Sequence, residues 1–255
     1  MMPGRPRILL PHQKLLLALY PVTVFLSFLY SVLAKPGPSY FSNKRNILNV
    51  GFVKIGWFWV TVVYFAYLLL VLSKRLQDKQ RLMQGCLRYA VATVYWYILT
   101  QWLLGPSFID RVFVATGGKC SAIAEEADIS VFENVFQQTA CRKLGGQWGG
   151  GHDVSGHCVM LIHASLFLLE EVRWLFYDAR PLSTLKQRDP TAWKAVVGVL
   201  GLVALWWWML IMTGVYFHGH FELLSGCFFG LLGWAVLYLG VFPRIPAMDR
   251  PPNMF

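Results

Sequence analysis

The chain of 255 residues is 56% hydrophobic and 16% aromatic but only 14% charged, where an ordinary soluble domain carries about 25% charged residues. That composition argues against a soluble globular protein and makes lipid the natural solvent. The net charge of +10 comes without a basic stripe interleaved with aromatics or any recognition motif, which excludes nucleic acid as a partner.

A bilayer crossing takes about 20 mostly apolar residues. Runs of that kind, bounded by charge, Pro or Gly, occur at 15–33, 52–73, 87–105, 155–176, 195–217 and 222–242, and they predict an all-α membrane protein of six transmembrane helices. Val32 and Ala34 would suit a signal-peptide cleavage site, but the first apolar stretch exceeds the roughly 7 to 15 residues of a signal core. It is therefore read as a retained helix. Residues 1–255 are read as one polytopic membrane domain with no internal repeat and no low-complexity tract, and no attached soluble domain is expected; the prolines near both ends read as frayed termini.

Positive charge sets the orientation. With the N-terminus in the cytosol, the outer segments keep only Lys35, Lys44, Arg45, Lys54, Arg111, Lys119, Arg142 and Lys143 of the 23 lysines and arginines. The positive-inside rule thus predicts both termini in the cytosol, with 106–152 as a long lumenal or extracellular loop. That loop holds Cys120 and Cys141, and an oxidising compartment would join them in a disulfide. The alternative is two free thiols.

Polar groups gather where the fourth span begins and the fifth ends. Asp153 or Ser155 can cap the fourth helix, which puts His157 near its first turn, where a helix N-terminus attracts anions. Span parity puts His157 and His218 on the same outer face. Glu222 is four residues from His218, a spacing that brings two side chains to one helix face and lets a carboxylate fix the imidazole tautomer. A helix break at Gly219 would remove that relation. Other polar residues have plainer readings: His152 and His220 as solvated interfacial groups, His163 as a hydrogen-bonding partner of a neighbouring helix, Glu170 and Glu171 as the cytosolic end of the fourth span, and Lys54 as a snorkelling side chain. Trp206, Trp207 and Trp208 suit helix packing or lipid contact. Neither an H-E-x-x-H helix nor a paired-cysteine motif is present, so no metal and no cofactor is expected.

The segments Pro38 to Asn49, Asp153 to His157, Glu170-Glu171 and Val215 to His218, with the six-span layout, resemble the fat storage-inducing transmembrane (FIT) family of endoplasmic reticulum proteins, and its fungal members most. That family in turn resembles the lipid phosphate phosphatases, whose motifs contain Ser-Gly-His and a histidine followed four residues later by an acid. By this resemblance His218 is the nucleophile, Glu222 orients it and His157 protonates the leaving oxygen. The implied reaction is hydrolysis of the phosphoanhydride of fatty acyl-CoA to acyl 4′-phosphopantetheine and adenosine 3′,5′-bisphosphate, at a lumenal site in the endoplasmic reticulum, in support of lipid droplet formation.

The chain departs from the phosphatase pattern in two respects. Ile211 and Met212 occupy the Ser-Arg positions that clamp phosphate, and the near match to the phosphatases' first motif, Lys-x6-Arg-Pro, at Arg173 to Arg180-Pro181 follows Ser-Gly-His instead of preceding it and is expected on the opposite side of the membrane. Phosphate binding is expected instead from Ser155 and Gly156 at the helix start and from Lys44 and Arg45, with Lys54, Arg142 and Lys143 as further outer cations. The expected partners are fatty acyl-CoA or another lipid phosphate, neutral lipids and membrane lipids. A second reading is a non-catalytic protein that binds diacylglycerol or triacylglycerol and partitions it into droplets. A channel is disfavoured, since only Lys54 and His163 are ionisable deep in the spans.

Overall fold

The computed structural model describes residues 9–73, 79–101, 106–122, 132, 134–177, 181–217 and 219–248. His218 and Arg180 lie outside the described residues. The chain is built mainly from helices: α1 (Pro11–Ala34), α2 (Gly56–Tyr67), α3 (Lys79–Thr100), α4 (Phe108–Ala115), α5 (Gln138–Lys143), α6 (Gly156–Glu171), α7 (Pro181–Arg188), α8 (Pro190–Tyr216) and α9 (His220–Trp234). Wide helical turns extend α2 through Leu68–Ser73 and α9 through Ala235–Val241. Two short strands, β1 (Lys119–Ser121) and β2 (Gln147–Gly149), pair antiparallel with Cys120 opposite Trp148.

Among the described residues three helices are long and apolar enough to cross a membrane: Pro11–Ala34, Pro190–Tyr216 and His220–Arg244. Gly56–Val71 is a shorter apolar helix. Many large apolar side chains on these helices face outward, among them Leu33, Phe58, Phe221 and Phe228, as expected of surfaces solvated by acyl chains.

The middle of the molecule is α6. Every residue from Cys158 to Glu171 is buried, and a helix apolar all round is one enclosed by others. It packs against α9, α8, α2 and α3. Gly226 and Gly230, spaced as G-x-x-x-G, set the α6–α9 contact: a Cβ at Gly226 would lie 2.8 Å from Cys158 Cβ, and one at Gly230 would lie 2.8 Å from Ile162 Cβ. Small residues at this spacing let two helix backbones approach closely where hydrophobic force between helices is absent.

The far end of α6 is not the simple polar terminus its sequence suggests. Glu170 and Glu171 are 0% and 1% exposed. Glu171 accepts from Arg88 Nε and Nη2 at 2.9 Å each, from the Tyr64 hydroxyl at 2.9 Å and from the Tyr238 hydroxyl at 3.0 Å. Glu170 accepts from Gln13 Nε2 at 2.9 Å and from Trp234 Nε1 at 3.1 Å. A buried carboxylate is tolerated only when paired and fully hydrogen-bonded, and these two draw their partners from α1, α2, α3 and α9.

Candidate active site

At the other end of α6 the chain arrives through Gly149, Gly150 and Gly151. Gly150 has φ +91°, and a Cβ at Gly151 would strike the backbone of Gly118, its Cα 2.8 Å away. The glycines therefore let the chain pass close beneath the β1 turn. Ser155 then caps α6, its Oγ accepting from Cys158 N at 3.3 Å. His157 follows in the first turn.

The second approach is made by α8 and α9. The helix does break before Glu222: α8 ends at Tyr216, and α9 starts at His220 after Gly219 in extended conformation. This is the helix break at Gly219 that the sequence left open, and His218 itself lies outside the described residues. Glu222 instead sits in the first turn of α9, where its Oε2 accepts from Gly219 N at 3.3 Å. Two bonds tie this turn to the start of α6: Ser155 N donates to Glu222 O at 3.2 Å, and Cys158 Sγ lies 3.6 Å from Leu223 O. Two helix N-termini, each the positive end of a backbone dipole, are thereby fixed side by side.

They open on a cavity of about 630 Å³ lined by His157, Glu222, Asp153, Gly156 and Phe217. Three cations line it as well: Lys44, Lys54 and Arg142. Among the described residues none of the three is in an ion pair. Val53, Trp57 and Met160, all buried, form its apolar wall.

Lys44 is aimed by a turn that the sequence encodes in asparagines. Asn43 Oδ1 accepts from Arg45 N, Asn46 Oδ1 accepts from Asn49 N, and Asn49 Nδ2 donates to Lys44 O, each at 2.8 Å. Asn46 and Asn49 are buried, so the turn is anchored from within, and Lys44 Nζ stands 5.9 Å from the Phe217 ring centroid. Arg45 is exposed and away from the cavity wall, as is Lys143. Ser155 is fully buried as the cap and does not line the cavity. Ile211 and Met212 face a separate groove between α1 and α8.

The loop 106–152 supplies the remaining wall. Cys120 and Cys141 form a disulfide, and Gln138, Thr139 and Arg142 of α5 line the cavity. Gln138 Nε2 donates to Asp153 Oδ2 and Gln138 N to Asp110 Oδ1, both at 3.3 Å. Burial raises the pKa of Asp110 above the usual carboxylate range, against the hydrogen bonds from Ser107 and Gln138. Gln138 and Thr139 were not legible as site residues, since no motif marks them; the only pointer is their nearness to Cys141.

The other histidines are engaged elsewhere. His152 Nε2 is 2.9 Å from Ser225 Oγ, the His220 ring is 4.4 Å from that of Phe28, and His163 Nε2 is 3.1 Å from Ala92 O on α3. Among the described residues no group of three His, Cys, Asp or Glu could hold a metal ion.

The family model described as fat storage-inducing transmembrane protein matches residues 37–238, a span that contains the Lys44 turn, the start of α6 and the α8–α9 break. The chain belongs to the FIT family. It is a multi-pass membrane protein of that family, similar to curated members named acyl-coenzyme A diphosphatase. One is fit1 of Schizosaccharomyces pombe, 38% identical over 236 residues, covering 92% of this chain and 87% of the relative. The Xenopus laevis FITM2 protein is 33% identical, with 84% and 77% covered, and the Homo sapiens FITM2 protein is 31% identical, with 84% and 78% covered. No solved structure matches the chain.

Proposed function

We propose that this FIT chain is a membrane hydrolase that cleaves the phosphoanhydride of fatty acyl-CoA, releasing acyl 4′-phosphopantetheine and adenosine 3′,5′-bisphosphate. The observation that carries the reading is the cavity in which His157 and Glu222 stand at two adjoining helix N-termini among three cations that form no ion pair among the described residues. The curated relatives bear the name of the same activity.

In this reading His218 attacks one phosphorus of the anhydride and forms an N–P bond. The bridging P–O bond breaks, and His157 protonates that oxygen as it leaves with the other phosphate. Water then hydrolyses the phosphohistidine and returns the proton. Glu222 orients the nucleophile, and Lys44 with the N-terminus of α6 at Gly156 holds phosphate charge in place of the missing Ser-Arg. The site works as a six-span protein with both termini cytosolic, its cavity facing the lumen of the endoplasmic reticulum and its products feeding lipid homeostasis and droplet formation.

A neutral-lipid binder is the second reading, and one observation favours it: a groove of about 440 Å³ between α1 and α8, lined by Leu26, Trp207, Trp208, Ile211 and Met212. One assay separates the two. Purified protein in detergent, given a long-chain acyl-CoA or phosphatidate, should release adenosine 3′,5′-bisphosphate from the first and little phosphate from the second. Release of neither product sinks the hydrolase. Orientation is read separately by inserting an Asn-x-Ser sequon into loop 106–152: glycosylation is expected, and an unmodified, cytosol-accessible loop would overturn a lumenal site.

A further inference from the structure

Three cations and the carboxylates of Asp153 and Glu222 line the cavity, and one of the cations, Arg142, sits on a separately anchored element. Helix α5 is fastened from three sides: by the Cys141–Cys120 disulfide to β1, by Gly146 N donating to Cys141 O at 2.8 Å, and by Gln138 bonding to Asp110 and Asp153. Gly146 leaves no room for slack, since a Cβ there would lie 2.7 Å from Cys120 Sγ and 2.9 Å from Cys141 Sγ. Gln138 and Arg142, four residues apart, share one helix face, and both line the cavity; Lys143, the next residue, does not.

The two ends of the substrate decide what Arg142 meets. An acyl-CoA keeps its chain in the membrane, so its nucleotide half must point toward the polar rim. That rim is α5, with Gln138, Thr139 and Arg142, whereas the buried wall is Val53, Trp57 and Met160. The nucleotide half carries one charged group that the anhydride lacks, the ribose 3′-phosphate. A guanidinium with no ion pair among the described residues presents a planar fork that matches phosphate oxygens two at a time. Lys44, by contrast, stands beside Phe217, one residue from His218, where the reacting phosphates belong.

We infer that Arg142, presented by the disulfide-anchored helix α5, binds the 3′-phosphate of the nucleotide half and makes the site selective for 3′-phosphorylated CoA esters. The assignment rests on the acyl-CoA reading of the same cavity. It adds a specificity-determining residue on the rim, remote from the bond that breaks.

The test compares kcat and KM of the purified full-length protein for a long-chain acyl-CoA and for the matching acyl-dephospho-CoA. Wild type should favour acyl-CoA by about 10- to 100-fold in kcat/KM, the span of one charged hydrogen-bonding contact. Arg142→Gln should bring that ratio close to one through a higher KM for acyl-CoA, and Arg142→Lys should restore part of it. Lys143→Gln removes the same charge one residue away and should keep the wild-type ratio. A wild-type ratio near one, an unchanged ratio in Arg142→Gln, or an equal collapse in Lys143→Gln each overturns the assignment while the hydrolase stands. Hydrolysis of neither ester by wild type overturns the reaction and the subsite together.

Discussion

The two ends of helix α6 carry polar clusters of opposite character. At the Glu170–Glu171 end every partner is in contact, the carboxylates are sealed from solvent, and Arg88 meets Glu171 with two hydrogen bonds of 2.9 Å. At the His157 end three cations, in no ion pair among the described residues, stand around a cavity of about 630 Å³. A closed, paired cluster holds helices together and leaves no place for a ligand. An open cluster with surplus positive charge forgoes that stabilisation and keeps room for an anion. Ionisable groups in spans mark function by default, and pairing and space are what favour the open cluster as the proposed site.

The contrast can be broken by mutation at either end. Glu171→Ala strands Arg88 and the Tyr238 hydroxyl in the core, whereas Tyr64 keeps Gly85 O as acceptor, and removing one partner of a buried pair costs about 3 to 5 kcal/mol. The expected outcome is a large fall in thermal unfolding temperature in detergent, with any residual folded fraction still turning over substrate. A variant as stable as wild type would deny the cluster its structural role.

Replacing Cys120 and Cys141 by serine opens a loop with a sequence separation of 21, worth about 3 kcal/mol in the chain-entropy view. The loss should centre on α5 and appear in hydrogen exchange as faster labelling of 132 and 134–149, with the α6–α9 pair unaffected. Uniform labelling would show that the loop is not a separate unit. The smallest effect is expected from Ser155→Ala, which removes the cap of α6 at about 1 kcal/mol. If Ser155 is only the cap, KM for acyl-CoA should stay near the wild-type value; a tenfold rise would make Ser155 a phosphate contact.

Much of this was legible in advance because hydropathy is a local property. Each of the six apolar runs contains helix, and the capped start of α6 is visible in Ser155-Gly156-His157. The Glu171 cluster was not legible, since its partners Tyr64, Arg88 and Tyr238 come from segments 67 to 107 residues away and no spacing rule links them. Whether one helix runs through Glu222 was open in the sequence, and it is settled by a local feature, the use of Gly219 as the residue before a new helix. Among the five outer cations named, only fold geometry separates Lys44, Lys54 and Arg142, which reach the cavity, from Arg45 and Lys143, which do not. The asparagine turn that aims Lys44 lay inside the family-like segment, yet its role appears only once Asn46 and Asn49 are seen buried.

The central claim is that the open end of α6 does the chemistry. Turnover of acyl-CoA by purified His157→Ala and His218→Ala, with unfolding temperature measured on the same samples, tests it most directly. The account predicts that the unfolding temperature stays near wild type in both. Turnover should fall by at least about 10²- to 10⁴-fold in each, the range for loss of a positioned acid or base. Full turnover in either folded variant would contradict it.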